Sequence, residues 1–336
     1  MPELRQDPCT RDWVVVTPER SRRPHTVQTA EQRTPPAAAN GCPFCPGHEA
    51  ETPPELWRLP GSGAGWRVRV VPNAFPMLVP DGSPQRELNL AGFVSMAGTG
   101  HHEVIIESPD HGADLARADN AAVRDVLEAY RARYRTLRAT ASGLILLFRN
   151  HGAGAGTSLA HPHSQIVATP VVPIQIRHRF EVAMQHYDDL GTCLYMDILD
   201  RELRDGRRVV LESEQFVAFQ PFASAAPFET WLMPRRHQTS FGQASDSALD
   251  DLAPVLRRVL AGQSDALGDP DYNAIVQSVP SGDEHLEYFV WHLRIVPRVA
   301  TPAGFELGSG MAVNPSCPEV TAALLREAIV QRNSSV

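Results

Sequence analysis

The sequence has no run of about 18 apolar residues, the length a membrane-spanning helix requires, and its start, Met1-Pro-Glu-Leu-Arg-Gln-Asp7, has no apolar leader core. A membrane partner is therefore not expected, and a cytoplasmic location is. Excess positive charge is also missing. A formal net charge of -8 argues against a general nucleic-acid binder, whose affinity depends on a basic, phosphate-neutralising surface. Local basic groups such as Arg20, Arg22 and Arg23 can still meet a small phosphorylated ligand. Cysteine is scarce: the five residues at 9, 42, 45, 193 and 317 form an odd set that builds no disulfide framework.

What is present suffices for a folded enzyme-sized body. With 336 residues, 43% of them hydrophobic, the chain can bury one large core or two of ordinary size. Residues 24 to 64 are rich in Pro, Gly, Ala and polar groups and predict an irregular excursion. It contains Cys42-Pro-Phe-Cys45, the spacing of a metal knuckle or a redox pair, and the surrounding prolines and missing βαβ context favour metal. Strands are predicted at residues 66–72 and 102–107, and amphipathic helices at 121–138, 246–260 and 318–331. The order strand, helix, histidine strand occurs twice. It leads from His111 to His161 in one half and from His237 to His292 in the other, separations of 50 and 55 residues. We read an α+β chain of two tandem units, 1–185 and 186–336, joined near residues 186 to 205.

The segment Asn150 to Gln165 carries the chemistry. Gly152-Ala-Gly-Ala-Gly156 offers small residues that permit positive φ and close backbone approach to a ligand, although it is neither a Walker loop nor G-x-G-x-x-G. The β-prone residues after it predict a strand on which His161, His163 and Gln165 share one face, with the imidazoles about 6–7 Å apart. That distance suits two separate roles. A neutral histidine can attack phosphorus, and Gln165 and Ser158 can donate to phosphate oxygens. Cys42 and Cys45 need two further ligands. One strand-face histidine and His111 are candidates, with His48, His101 and His102 as rivals.

These residues, with Asp7 to Pro24, Val71-Pro-Asn-Ala-Phe-Pro76 and Ser108-Pro-Asp-His111, resemble the galactose-1-phosphate uridylyltransferase family over nearly the whole chain. That family is a nucleotidyl-transferring branch of the histidine-triad superfamily. The resemblance implies an antiparallel half-barrel sheet with flanking helices in each histidine-triad-like unit, and a homodimer. It implies that His163 is the nucleophile of a ping-pong transfer, with Gln165 on the transferring phosphoryl group. It also implies that Asn150, Gly156, Thr157 and Ser158 line the phosphate site, that Asn73 holds the nucleotide, and that Arg20 and Arg23 meet phosphate. One structural zinc would be held by Cys42, Cys45, His111 and His161. The substrates would be a nucleotide sugar and a sugar 1-phosphate or phosphate, as in galactose and related carbohydrate metabolism.

The chain also departs from the pattern. A second metal site used by some members would need histidines where this chain has Gln277 and Arg294, beside His292, and a glutamate near Glu181, so we expect no second metal. In the acceptor segment, small residues replace family side chains near Gly304, Ser309 and Gly310, leaving Phe305, Ser309 and Gly310 as candidate contacts. This segment is closer to the ADP-glucose phosphorylase-like branch. The leading expectation is transfer to a sugar 1-phosphate, with an orthophosphate-using phosphorylase as the alternative. A nucleotide binder without catalysis, or a zinc hydrolase with both His161 and His163 on metal, would be the competing classes.

Overall fold

The structure, a computed structural model, describes residues 1–22, 41–63, 65–141 and 143–334. Arg23 and most of the expected excursion before Gly41 lie outside the described residues. The chain opens with a hairpin of β1 (Glu3–Gln6) and β2 (Trp13–Val16). After the Cys42–Cys45 turn come β3 (Trp57–Pro60) and β4 (Trp66–Pro72), then an excursion carrying the short pair β5 (Glu87–Leu88) and β6 (Val94–Ser95). Next follow β7 (His101–Ile106), α1 (Asn120–Thr140), β8 (Leu144–His151) and β9 (His163–Thr169). Two helices, α2 (Ile174–Leu190) and α3 (Leu194–Asp205), lead to β10 (Val209–Glu212), β11 (Phe216–Phe219) and β12 (Thr230–Pro234). The chain ends with α4 (Asp246–Leu267), β13 (Tyr272–Gln277), β14 (His292–Pro297), α5 (Gly304–Ser309), β15 (Val313–Asn314) and α6 (Pro318–Ser334).

Ten strands form one sheet in the order β10-β11-β12-β14-β13-β8-β9-β7-β4-β3, every neighbouring pair antiparallel. The order is symmetric about the β8–β13 pair. Each side has five strands in the same sequence of pairings, and each inserts a long helix, α1 or α4, between its third and fourth strands. The architecture is α+β, a large antiparallel sheet with flanking helices. The expected join after residue 185 falls inside α2, whereas β9, the last strand of the first set, ends at Thr169.

Period-two alternation decides what each face meets. Val68, Val70, Ile105, Leu147, Ile166, Leu232, Leu293 and Ile295 point to one face, where α1, α4 and α6 cover them in a shared core. Both long helices begin as their sequences dictate: Asp119 accepts from the Ala122 N–H and Ser245 from the Ala248 N–H. On the opposite face the halves differ. Helices α2 and α3 seal the second half over Val217, Phe219, Trp231 and Met233. Over the first half, Phe44 and the two cysteines pack on Val71, Val104 and Ile106. Among the described residues, no helix is long and apolar enough to cross a membrane.

The small sheet is tied to the large one through a buried ion cluster. Glu319 at the start of α6 receives Arg5 from β1 at 3.0 Å and Arg208 from the approach to β10 at 2.6 Å. Burial pushes the Glu319 carboxyl up, but hydrogen bonds from Cys317, Arg5 and Arg208 outweigh it and hold the group at about 2, against an ordinary 4.5. Its folded value is depressed, so this stabilisation is complete above pH 4.5 and is lost as pH falls toward 2. Glu319→Gln should therefore flatten the decline in denaturation midpoint between pH 6 and pH 3, measured by urea unfolding followed by circular dichroism. A decline as steep as that of the unaltered protein would refute the assignment.

Candidate active site

The glycine turn and the Cys-x-x-Cys turn meet at the start of β9. Cys42 Sγ lies 3.7 Å from His161 Nδ1, and Cys45 Sγ lies 3.6 Å from the same nitrogen and 3.4 Å from His111 Nδ1. The four ligand atoms all fall within 4.8 Å of one another. A tetrahedral site with metal–sulfur and metal–nitrogen bonds of about 2.3 and 2.0 Å needs sulfur and nitrogen roughly 3.5 Å apart, and this cluster has that spacing. The tautomer fits too. His161 Nε2 donates to the Ser108 carbonyl at 2.8 Å, which leaves the Nδ1 lone pair facing the thiols. Burial pushes the Cys45 thiol up and neighbouring Cys42 adds to it, so a cation is what would make this pair thiolate. These residues could hold one metal ion.

His161 stands two residues before β9 rather than on it, so the expected shared strand face begins only at His163. The two rings are inequivalent. His163 Nδ1 donates to the His161 carbonyl at 2.8 Å, which fixes the neutral tautomer with its lone pair on Nε2. Phe44 packs its ring against both imidazoles, with centroids 6.0 Å from His161 and 5.5 Å from His163. Burial lowers the His163 pKa, so the ring is neutral at neutral pH and chemically a nucleophile. Behind it, on the helix-covered face, Ser164 and Tyr130 bond to Glu107, and Arg149 bridges Glu107 at 3.0 Å to the Tyr272 hydroxyl at 2.5 Å. The strand that presents His163 is thus fixed from the rear by a buried network.

The cross-strand register brings the other candidates together. Gln165 pairs with Val104 and Phe148, and its Oε1 lies 2.7 Å from His102 Nε2. Asn73 Nδ2 lies 3.1 Å from that same nitrogen. Asn150 pairs with Asn273, whose Nδ2 donates to Asn150 Oδ1 and to the Ala155 carbonyl, both at 2.9 Å. Gly156 closes the turn at φ +89°, and Thr157 Oγ1 donates to the Leu159 carbonyl, while Ser158 is exposed. The metal cluster excludes the rivals His48, His101 and His102. Arg20 is exposed on a turn of 3-10 helix, and Phe305 and Ser309 lie on exposed α5, which Gly310 caps, with Ser309 Oγ bonded to the Phe305 carbonyl. No described contact joins these four to His163.

The glycines of the loop have a cause other than ligand approach. Asp271, in the second half, accepts from the Gly154 N–H at 2.6 Å. A Cβ at Gly152 would lie 1.8 Å from Asp271 Oδ1, and one at Gly154 would lie 2.6 Å from Oδ2. The loop is small because a carboxylate of its own chain fills the space.

The second half repeats the histidine geometry in sealed form. His292 Nδ1 donates to the Val290 carbonyl at 3.0 Å, as His163 does to His161, but its ring stacks on Trp231 at 4.4 Å. Burial drives it down to about 3, and its Nε2 is buried without a hydrogen-bond partner. Arg294 is paired with buried Glu229 at 2.6 Å, while Glu181 is exposed beside His178. Gln277 faces His292 across the β13–β14 pair.

Models of the galactose-1-phosphate uridyl transferase N-terminal and C-terminal domains match residues 1–173 and 176–299. An ADP-glucose phosphorylase of Arabidopsis thaliana is 35% identical over 332 residues, 97% of this chain and 93% of that protein. A galactose-1-phosphate uridylyltransferase of Thermotoga maritima is 28% identical over 341 residues, 98% of this chain and all of the relative. The crystal structure of the Arabidopsis phosphorylase with bound ADP-glucose superposes with a TM-score of 0.83 at 34% identity, covering 97% of this chain and 99% of that one. A uridylyltransferase structure gives 0.76 at 28% identity, covering 99% of each chain.

Gly154→Ala should cost about 1–3 kcal/mol of stability through overpacking, and most of that cost should vanish in an Asp271→Ala background. Urea denaturation of the two single variants and the double variant measures the coupling. Additive costs would show that Asp271 does not constrain the loop.

Proposed function

This chain belongs to the galactose-1-phosphate uridyl transferase family, and we propose that it moves a nucleoside monophosphate from a nucleotide sugar to a phosphate-bearing acceptor through His163. The observation that carries this reading is the fixed tautomer of His163, with Nδ1–H on the His161 carbonyl and the Nε2 lone pair available beside Gln165. His163 Nε2 attacks the α-phosphorus, an N–P bond forms, and the P–O bond to the departing sugar 1-phosphate breaks. In the second half-reaction an acceptor phosphate oxygen attacks the same phosphorus, and Nε2 recovers its lone pair. Gln165 and Ser158 steady the phosphoryl oxygens while charge builds on them. The sequence contains no lysine, so fixed positive charge offered to the phosphates by side chains is guanidinium.

The acceptor has two readings. A sugar 1-phosphate follows from the uridylyltransferase relatives, whereas orthophosphate is favoured by the higher identity to the ADP-glucose phosphorylase and by the small residues Ser309 and Gly310. The ion for Cys42, Cys45, His111 and His161 is zinc in this reading, supported by the tetrahedral spacing and the soft ligand set. Zinc would fix the turn on which His161 and His163 stand. The protein acts as a homodimer. Exposed Phe75, Leu90 and Phe93 on the 73–95 excursion, and Phe305 and Leu307 on α5, support that assembly. Five free thiols accord with a reducing cytoplasm.

Intact-protein mass spectrometry after incubation with ADP-glucose or UDP-glucose should show an AMP or UMP adduct, absent in His163→Ala. Adding orthophosphate or galactose 1-phosphate should discharge it, and the effective acceptor decides between the two readings. No adduct from either donor would overturn the covalent route. Metal analysis should give one zinc per chain, retained in His163→Ala and lost in Cys42→Ser; loss in both would place His163 on the metal instead.

A further inference from the structure

We propose that His102 is a positioning residue that decides which end of the Gln165 carboxamide faces the phosphoryl group. The inference rests on the nucleotidyl-transfer reading and assigns a role to a side chain outside the metal cluster. His102 is buried on β7, and its two ring nitrogens meet different partners. The Met77 N–H donates to Nδ1 at 3.1 Å, so Nδ1 holds a lone pair and the single proton of the neutral ring sits on Nε2. That Nε2–H points at Gln165 Oε1, 2.7 Å away. A backbone N–H has no other role available, so the assignment at Nδ1 propagates without ambiguity to Nε2.

The consequence falls on Gln165. With its oxygen held by His102, its NH2 group is the end left to face a ligand. Rotated by half a turn, the same carboxamide would present an acceptor oxygen to an anionic phosphate, which repels it. Asn73 stands beside the same ring nitrogen. Its Oδ1 accepts from the Phe75 N–H at 2.8 Å, so its nitrogen is the atom beside His102 Nε2, and that contact is donor against donor. The imidazole thus orients the Gln165 NH2 group. Positioning of this kind fixes donors before charge develops, which is where preorganisation yields rate.

The test uses the full-length protein with ADP-glucose or UDP-glucose, whichever forms the adduct. His102→Leu removes the donor, and His102→Gln restores an N–H near the Nε2 position. In single-turnover experiments at saturating donor, His102→Leu should slow formation of the His163 adduct by about 10- to 100-fold, below the ~10²–10³ typical of deleting a preorganised donor outright. Nucleotide-sugar affinity should change little, and His102→Gln should recover most of the rate. His102→Leu added to Gln165→Ala should cost nothing further. Discrimination between the two sulfur-substituted diastereomers at the α-phosphorus should weaken alike in His102→Leu and Gln165→Ala. An unchanged rate, or a further loss in the double variant through misfolding or any other route, overturns the proposal. The ring tautomer is read independently of catalysis. In ¹⁵N NMR spectra, His102 should carry its proton on Nε2, and a proton on Nδ1 overturns the assignment even where adduct formation proceeds. An Nε2 proton without any adduct would leave the placement intact and remove the transfer reading alone.

Discussion

The pairing of β8 with β13 is the contact on which the rest of the molecule depends. It joins two five-stranded sets into one sheet, and three side chains delivered by β13 and the residue before it act on the first half. Tyr272 meets Arg149 in the network behind the strand that carries His163, Asn273 meets Asn150 and the loop carbonyl of Ala155, and Asp271 accepts from Gly154 in the glycine turn. The second half is therefore also the mould of the loop. Antiparallel pairing makes this possible, because cross-strand partners project to the same face.

The two histidine strands show how one backbone device serves opposite ends. His163 and His292 each donate Nδ1–H to the carbonyl two residues earlier. Around His163 the neighbouring cover is the Cys42–Cys45 turn, with Phe44 against the ring. Around His292 it is α2, α3 and the Trp231 ring, which seal it and drive the imidazole far below its ordinary range. The hydrogen bond sets the tautomer in both; the packing decides whether the lone pair can react. Arg294, which stands where a second metal site would need a histidine, is matched by the buried carboxylate of Glu229.

Much of this was legible in the chain. The Cys-x-x-Cys spacing marked a metal turn, because short-range spacing fixes which groups a turn can gather, whereas the choice of His111 and His161 over His48, His101 and His102 as its partners came from the family resemblance. Strand Trp66–Pro72 matched its periodicity, and α1 and α6 differ from expectation by a few residues at their ends, where caps rather than periodicity decide. α4 runs on to Gly268, whose left-handed φ of +70° supplies the stop. Helices α2 and α3 were read only as a join. Asp271 and His102 were not legible as working residues. The first acts across 117 residues on a backbone N–H, and no local pattern marks such a contact. The second sits in a strand whose alternation gives the face but not the partner. The Phe305–Gly310 segment, read as an acceptor contact, stands exposed on its own helix.

The carboxylate of Asp271 also has a bearing on the order of assembly. Loop and carboxylate are far apart along the chain, so the hydrogen bond from Gly154 to Asp271 forms only once β13 has been made and docked. During synthesis the first half can collapse and bring its cysteines and histidines together before that hydrogen bond exists. A nascent chain would thus carry His163 well before the contacts that the second half adds around its loop.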